Sequence, residues 1–392
     1  MIGPRGTGPR LSGDAGIIGY GCTAYEKRPS RTEFAYLAEA ARGALASAGV
    51  AKSEVDGLHL GSSTIQPENA VTTAERFGLS LGWAQLSSSA SAGSVAAVMD
   101  CLRAIEAGEA RYVLCLAGGA QDLGTFRERM SRFNSAIRDY VVPHGFGGLN
   151  GLFGIVTRKH METYGTERRQ LGRIVVDQRV SAGLNPQALF REPLTLKQYL
   201  EAPLVADPLR LFDCVLPCSG AEAVLLGPLD RVPPGRRVRV LAGAQRHNHP
   251  PGEIAPLSGG WEVFRDRLYE DAGLGPEDVD FLQAYDDYPV MVAIQIEDLG
   301  FCAKGEVGSF LDANSLTWDG SFPLNTGGGQ LSVGQSGAGG GLLGLVEAVR
   351  QLRGEGGPRQ LRKAERGLVA GYGMVAYGHG LSSSALVVER TR

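Results

Sequence analysis

The segment Tyr285-Asp286-Asp287-Tyr288-Pro289 gathers two phenols and two carboxylates within four residues, directly after the strand-like run VDFLQA at 279–284. A phenol whose pKa lies near 10 can act as a base or relay a proton if its surroundings lower that value. Pro289 suits the first turn of a helix and Asp287 a capping position, which puts Tyr285 at a strand-to-helix corner, where α/β units commonly open a pocket. The competing reading is structural: both tyrosines pack under the helix, and the acidic pair caps it. Other polar groups could join such a site. They are Asn325, Gln335, Tyr372 and Tyr377 with His379, and the cluster Arg246-His247-Asn248-His249. His247 and His249 would share one face of a strand, as metal ligands can, but no third ligand accompanies them and no metal is expected. Thr326-Gly327-Gly328-Gly329 and Gly337 to Gly341 lack both the phosphate-loop and the dinucleotide spacings.

Such groups need a scaffold, and the chain carries its scaffold twice. Residues 46–60 (ASAGVAKSEVDGLHL) match residues 270–284 (EDAGLGPEDVDFLQA) without a gap, each reading as a helix end, a turn and a strand. Gly49 and Gly273 are the expected helix stops. A weaker match joins Gly93 to Ala107 with Gly339 to Arg353, small-residue helix starts that lead through amphipathic helices to strands at 112–117 and 367–370. Two α/β halves packed face to face are therefore expected, spanning 14–230 and 236–392, with a break in the Pro- and Gly-containing run 228–235. An insertion rich in Arg and Tyr, about 120–200, belongs to the first half only, and its Arg127, Arg129 and Arg132 could meet phosphates.

The 392 residues include 43% hydrophobic and 21% charged, enough for two ordinary domains. A formal charge of −3 with scattered Lys and Arg argues against nucleic acid. No apolar stretch is long enough for a membrane span, and the N-terminal residues lack a signal-peptide core, so a cytoplasmic protein is expected. The six cysteines need no disulfide framework, and Cys214 and Cys218 read as buried thiols.

Four runs carry a family resemblance: 152–186, 211–227, EDLGFCAKGEVGSF at 297–310 and LNTGGGQLSVGQSGAGGG at 324–341. In order and over essentially the whole chain they resemble the sterol-carrier-protein type of thiolase. The resemblance implies an α/β fold of five layers (αβαβα), a homodimer and a CoA thioester as substrate, with CoA entering only as part of that substrate and no separate cofactor.

The catalytic set of that family is missing. Where the family has its nucleophilic cysteine, three residues before Gly93, this chain has Ala90, followed by Ser91. No nearby base would activate a serine. The histidine of the family's Gly-His-Pro segment falls on Gln335, and an amide cannot shuttle a proton. The second cysteine, in the Gly371 to Met374 region, is absent too. Tyr-Asp-Asp-Tyr instead resembles the steroid side-chain-cleaving aldolases of the superfamily, which implies retro-aldol cleavage of a β-hydroxyacyl-CoA, with Tyr285 in the machinery and Asp286 or Asp287 beside it. That reaction needs a base for the β-hydroxyl and stabilisation of the thioester enolate, but no nucleophile. Asn325 takes the place of a water-orienting Asn, and Gly328 belongs to a turn whose amides could form an oxyanion hole. The aldolases tend to carry a second Tyr where Gln335 stands, so one proton-transfer group is missing or moved; Tyr372 and Tyr377 with His379 are the nearest substitutes and the cluster around His247 could line the pocket, with a structural role the competing reading for each. The resemblance also implies a small OB-fold, zinc-ribbon partner subunit. A catalytically silent CoA-ester-binding or scaffold subunit is the alternative, and a Ser-based acyltransferase a distant one.

Overall fold

The computed structural model describes residues 11–61, 70–86, 90–133, 135–140, 142–145, 148–376 and 379–391. The first half runs β1 (Ala15–Cys22), α1 (Glu33–Ala48), β2 (Gly57–Gly61), α2 (Ala70–Phe77), β3 (Trp83–Leu86), α3 (Ala90–Glu106) and β4 (Val113–Gly119). Five helices follow: α4 (Leu123–Phe133), α5 (Ser135–Tyr140), α6 (Leu149–Tyr164), α7 (Arg168–Gly183) and α8 (Leu196–Glu201). A short hairpin, β5 (Leu204–Ala206) and β6 (Leu209–Arg210), leads back to β7 (Gly220–Pro228). The second half runs β8 (Arg237–His247), α9 (Trp261–Ala272), β9 (Phe281–Gln283), α10 (Pro289–Asp298), α11 (Val307–Ala313), α12 (Gly329–Val333), α13 (Gly340–Leu352), β10 (Arg366–Ala376) and β11 (His379–Thr391).

Strand order exposes the duplication. The first half is ordered β3-β2-β4-β7-β1 and the second β9-β10-β11-β8. Leu324, bridged in parallel to Leu282 of β9, stands where β3 stands beside β2. In both halves the first strand pairs antiparallel with the last, and the last antiparallel with the strand before it. One antiparallel bridge, Ile17 to Val238, joins the two halves edge to edge. The helix stops come in equivalent places: Gly49 at φ 64° and Gly273 at φ 69°, each donating its N–H back to the last turn, a conformation a Cβ would oppose.

The period-2 alternation of the strands divides the core into layers. Leu114 and Leu116 of β4 and Leu225 of β7 face α1, while Val113, Cys115, Val224 and Leu226 face inward. The inward set packs on α3 and α13, which also carry Val369 of β10 and Leu386 and Val388 of β11. The other face of those strands, with Leu368, Tyr372 and Val387, packs on α9 and α10. Helix, sheet, helix pair, sheet and helix are thus the five layers. Their central pair, α3 and α13, brings both halves to one place. Among the described residues no helix is long and apolar enough to cross a membrane, and all six cysteines are free, with Cys214 only half-buried.

Candidate functional site

Tyr285 follows β9 after one residue, and its backbone is gripped by α10. Gln295 Oε1 accepts from the Tyr285 N–H at 2.9 Å, while Gln295 Nε2 donates to the Tyr285 carbonyl at 2.7 Å and to Met291 at 2.8 Å. Gln295 is fully buried, so the grip is not diluted by water and the ring is aimed by a rigid element. From the opposite side Gln335 Nε2 donates to Tyr285 Oη at 3.2 Å. Gln335 is placed by a short parallel bridge to Pro217, and its main chain exchanges hydrogen bonds with Leu216 and Cys218. Gln335 therefore orients the Tyr285 hydroxyl without moving a proton itself.

The acidic pair does not cap α10. The N-cap is Tyr288, which makes no side-chain capping bond. Asp286 reaches instead across to α12, accepting from the N–H groups of Gln330 (2.8 Å) and Leu331 (3.2 Å). Burial raises its pKa to about 7 against those bonds. Asp287 is buried and its Oδ1 has no partner. Burial, and then the neighbouring Asp286, push its pKa well above the ordinary value. Tyr288 stacks on Phe153 with centroids 4.1 Å apart and donates to Asn150 Oδ1 at 2.7 Å, a packing role.

The shift at Asp287 has a consequence for stability. A carboxyl whose pKa is raised by folding holds a proton that the unfolded chain releases, so its contribution is full below the unfolded value of about 4 and fades as pH rises through the folded value. Asp287→Asn, which cannot titrate, is expected to show a smaller fall in urea midpoint between pH 5 and pH 8 than the parent chain. Identical falls would mean that Asp287 is ionised when folded.

Asn325 is one of two non-glycine residues at positive φ (45°) among those described, a backbone region Asn tolerates better than most. Its N–H donates to Leu282 and its carbonyl accepts from Gly328 at 2.7 Å, but its buried Nδ2 has no partner. Tyr285, Asp286, Asn325, Gln330, Tyr25 and Glu222 line one narrow cavity. No cysteine lines it.

Other expected site residues are placed elsewhere. Gly327 and Gly329 border the cavity, but Gly328 turns toward α7, where a Cβ would lie 2.5 Å from that of Ala182. Tyr372 stacks on Trp261 at 5.6 Å and its ring centroid is 6.3 Å from that of Tyr285, so it braces the site as part of the aromatic core. His247 ends β8 and pairs its Nδ1 with Ser382 Oγ at 2.6 Å. Asn248, at φ 52°, turns the chain immediately after it, so His247 and His249 do not share a strand face, and His249 pairs with Glu262 at 2.9 Å. Among the described residues no group of His, Cys, Asp and Glu could hold a metal. Ala90 and Ser91 open α3, with side chains outside the described set. Arg127 is exposed on α4, the side chains of Arg129 and Arg132 are outside the described set, and Tyr377 lies outside the described residues.

Reading by motif passed over Tyr25, Glu222, Gln283 and Glu347, all at this cavity. One signal was present: Glu222 interrupts the apolar strand run Ala221 to Leu226.

Comparisons with known proteins bear on the family and the fold. Residues 259–387 match the thiolase C-terminal domain-like family. The steroid side-chain-cleaving aldolase of Thermomonospora curvata is 30% identical over 370 residues, 88% of this chain and 91% of that one. The 17-hydroxy-3-oxo-4-pregnene-20-carboxyl-CoA lyase of Mycobacterium tuberculosis is 29% identical, over 88% and 92% of the two chains. Among solved structures, the Ltp2-ChsH2(DUF35) aldolase superposes with a TM-score of 0.82 at 27% identity, covering 97% of this chain and 99% of that one. Human mitochondrial 3-ketoacyl-CoA thiolase, at 14% identity and a TM-score of 0.70, shares the fold.

Proposed function

The chain belongs to the family of thiolase-fold aldolases that includes the steroid side-chain-cleaving aldolase of T. curvata, and we propose from this that it is an acyl-CoA carbon–carbon lyase cleaving a β-hydroxyacyl-CoA with a bulky, steroid-like tail into a short acyl-CoA and a ketone or aldehyde. One observation carries the mechanism: Tyr285 is held between Gln295 and Gln335 at a cavity lined by Asp286 and Asn325, with no cysteine there. Tyr285 takes the proton of the β-hydroxyl. The Cα–Cβ bond then breaks as the Cβ carbonyl forms, and its electrons move into the thioester enolate. Asn325 Nδ2, unpartnered and buried, is a donor for the developing oxyanion. Protonation at Cα completes the short acyl-CoA, and no acyl-enzyme forms.

Two partners belong to the proposal. A second copy of the chain would cover the open edge of β3, which pairs only with β2 among the described strands and ends in Leu86, 48% exposed. A small subunit of the kind named in the Ltp2-ChsH2(DUF35) aldolase would help to hold the acyl-CoA. The test is incubation of the purified chain, alone and with that subunit, with tertiary β-hydroxyacyl-CoA esters. Release of acetyl- or propionyl-CoA together with a ketone is expected. Intact substrate across a panel, with the subunit present, would leave a binding or scaffold protein in its place.

A further inference from the structure

The proposed reaction has one base in contact with substrate, and Gln335 cannot pass its proton on. The cavity that opens on Tyr285 extends to β7 of the other half, where Glu222 lines it. Glu222 is 2% exposed, in an otherwise apolar strand. Its Oε1 accepts from Tyr25 Oη at 3.0 Å, and Tyr25 in turn accepts from Ser336 Oγ at 3.5 Å. Its Oε2 is buried with no partner at all. An orphaned buried acceptor is costly, so a carboxylate kept there needs a reason other than packing.

We propose that Glu222 is the terminal proton acceptor of the cleavage, receiving at Oε2 the proton that leaves the β-hydroxyl by way of Tyr285 and water in the shared cavity. The assignment rests on the aldolase reading above. As the substrate O–H breaks, its proton goes to Tyr285 Oη, the Tyr285 proton goes to cavity water, and a water proton goes to Glu222. After the carbon–carbon bond breaks the relay reverses, Tyr285 protonates Cα, and Glu222 returns to the carboxylate. One proton leaves the hydroxyl and one arrives at carbon, so nothing else is consumed. Tyr25 and Ser336 are positioning residues that fix the carboxylate with its free oxygen available.

The charges facing Glu222 suit that role. Cys22 of β1, Tyr25 in the loop after it, and Glu347 and Arg350 of α13 face it, and Cys218 just before β7 faces Tyr25. Burial raises its pKa to about 8; Arg350 and the Tyr25 hydroxyl pull it down and Glu347 pushes it up. A base with a pKa near the working pH is close to the optimum for proton transfer.

The test is kcat/KM against pH for the chain with its small subunit present, in the parent, Glu222→Gln and Tyr25→Phe forms. The parent is expected to rise with pH through about 8. Glu222→Gln should lose that limb and fall by about 10²-fold, the low end for a base. Tyr25→Phe, by removing a bond to the carboxylate, should move the limb to higher pH. A residue that only packs would lower the rate and leave the limb in place, and that result would overturn the assignment. Should Glu222→Gln not fold, the Tyr25→Phe limb decides: shifted upward it supports the relay, unmoved it ends it. A parent chain that cleaves nothing removes the proposed function and this relay together, whereas an active parent with an immovable limb removes the relay alone. In that inactive case, loss of a carboxylic C=O infrared band near pH 8 in the parent, absent from Glu222→Gln, would still identify Glu222 as a titrating acid.

Discussion

Tyr285→Phe is expected to lower kcat by about 10² to 10⁴, the range for loss of a positioned acid or base, with little change in KM. The substitution removes one oxygen and keeps the ring, so the packing beside Tyr372 survives. The Gln295 grip also survives, because it holds the backbone of residue 285 and not its side chain. The fall should therefore come with unchanged circular dichroism and an unchanged unfolding midpoint. What is lost is the phenol oxygen that Gln335 Nε2 approaches. Single-turnover release of short acyl-CoA is the measurement. A rate within a factor of about three of the parent, far below the loss expected for a general base, would remove Tyr285 from the chemistry.

Glu347→Ala should produce the largest loss of stability. Glu347 is buried and takes Arg350 at 2.6 Å, Arg359 at 2.8 Å, Gln351 at 2.9 Å and Thr326 Oγ1 at 3.0 Å. Burial alone would raise its pKa, but the two guanidinium groups outweigh burial and hold it at about 2. Truncation leaves two nearly buried cations facing each other with no anion between them, a change that costs about 3–5 kcal/mol. It also frees Thr326, which sits next to Asn325 and accepts from Gln283. Activity should therefore fall along with the urea midpoint. A loss below about 1 kcal/mol, the size of a surface pair, would show that water replaces the carboxylate and that the cluster is not a keystone of the site.

The duplicated scaffold was legible because its signals are local. Two helix stops, the strands that follow them and one ungapped repeat each report on a few neighbouring residues, and Gly49 and Gly273 adopt the same left-handed turn. Leu324 escaped notice because a strand one residue long has no periodicity to read. Tyr285 could be placed at its corner for the same local reason. Asp287 was expected to cap α10, but the N-cap is Tyr288, and the acid that does meet helix amides is Asp286, on Gln330 and Leu331 over forty residues on, a pairing no local pattern shows. The pairing of His247 with His249 failed on one residue, since Asn248 breaks the strand they were expected to share. Glu222 was visible only as an acid in an apolar run. Its partner Tyr25 lies 197 residues away, and no local pattern joins them.

The central claim, carbon–carbon cleavage through an enolate with no covalent intermediate, is tested most directly in D2O. A tertiary β-hydroxyacyl-CoA should yield a short acyl-CoA carrying one deuterium at Cα, while rapid-quench intact mass spectrometry shows the protein unmodified. A protein mass increased by an acyl group, or a product without deuterium at Cα, would contradict it.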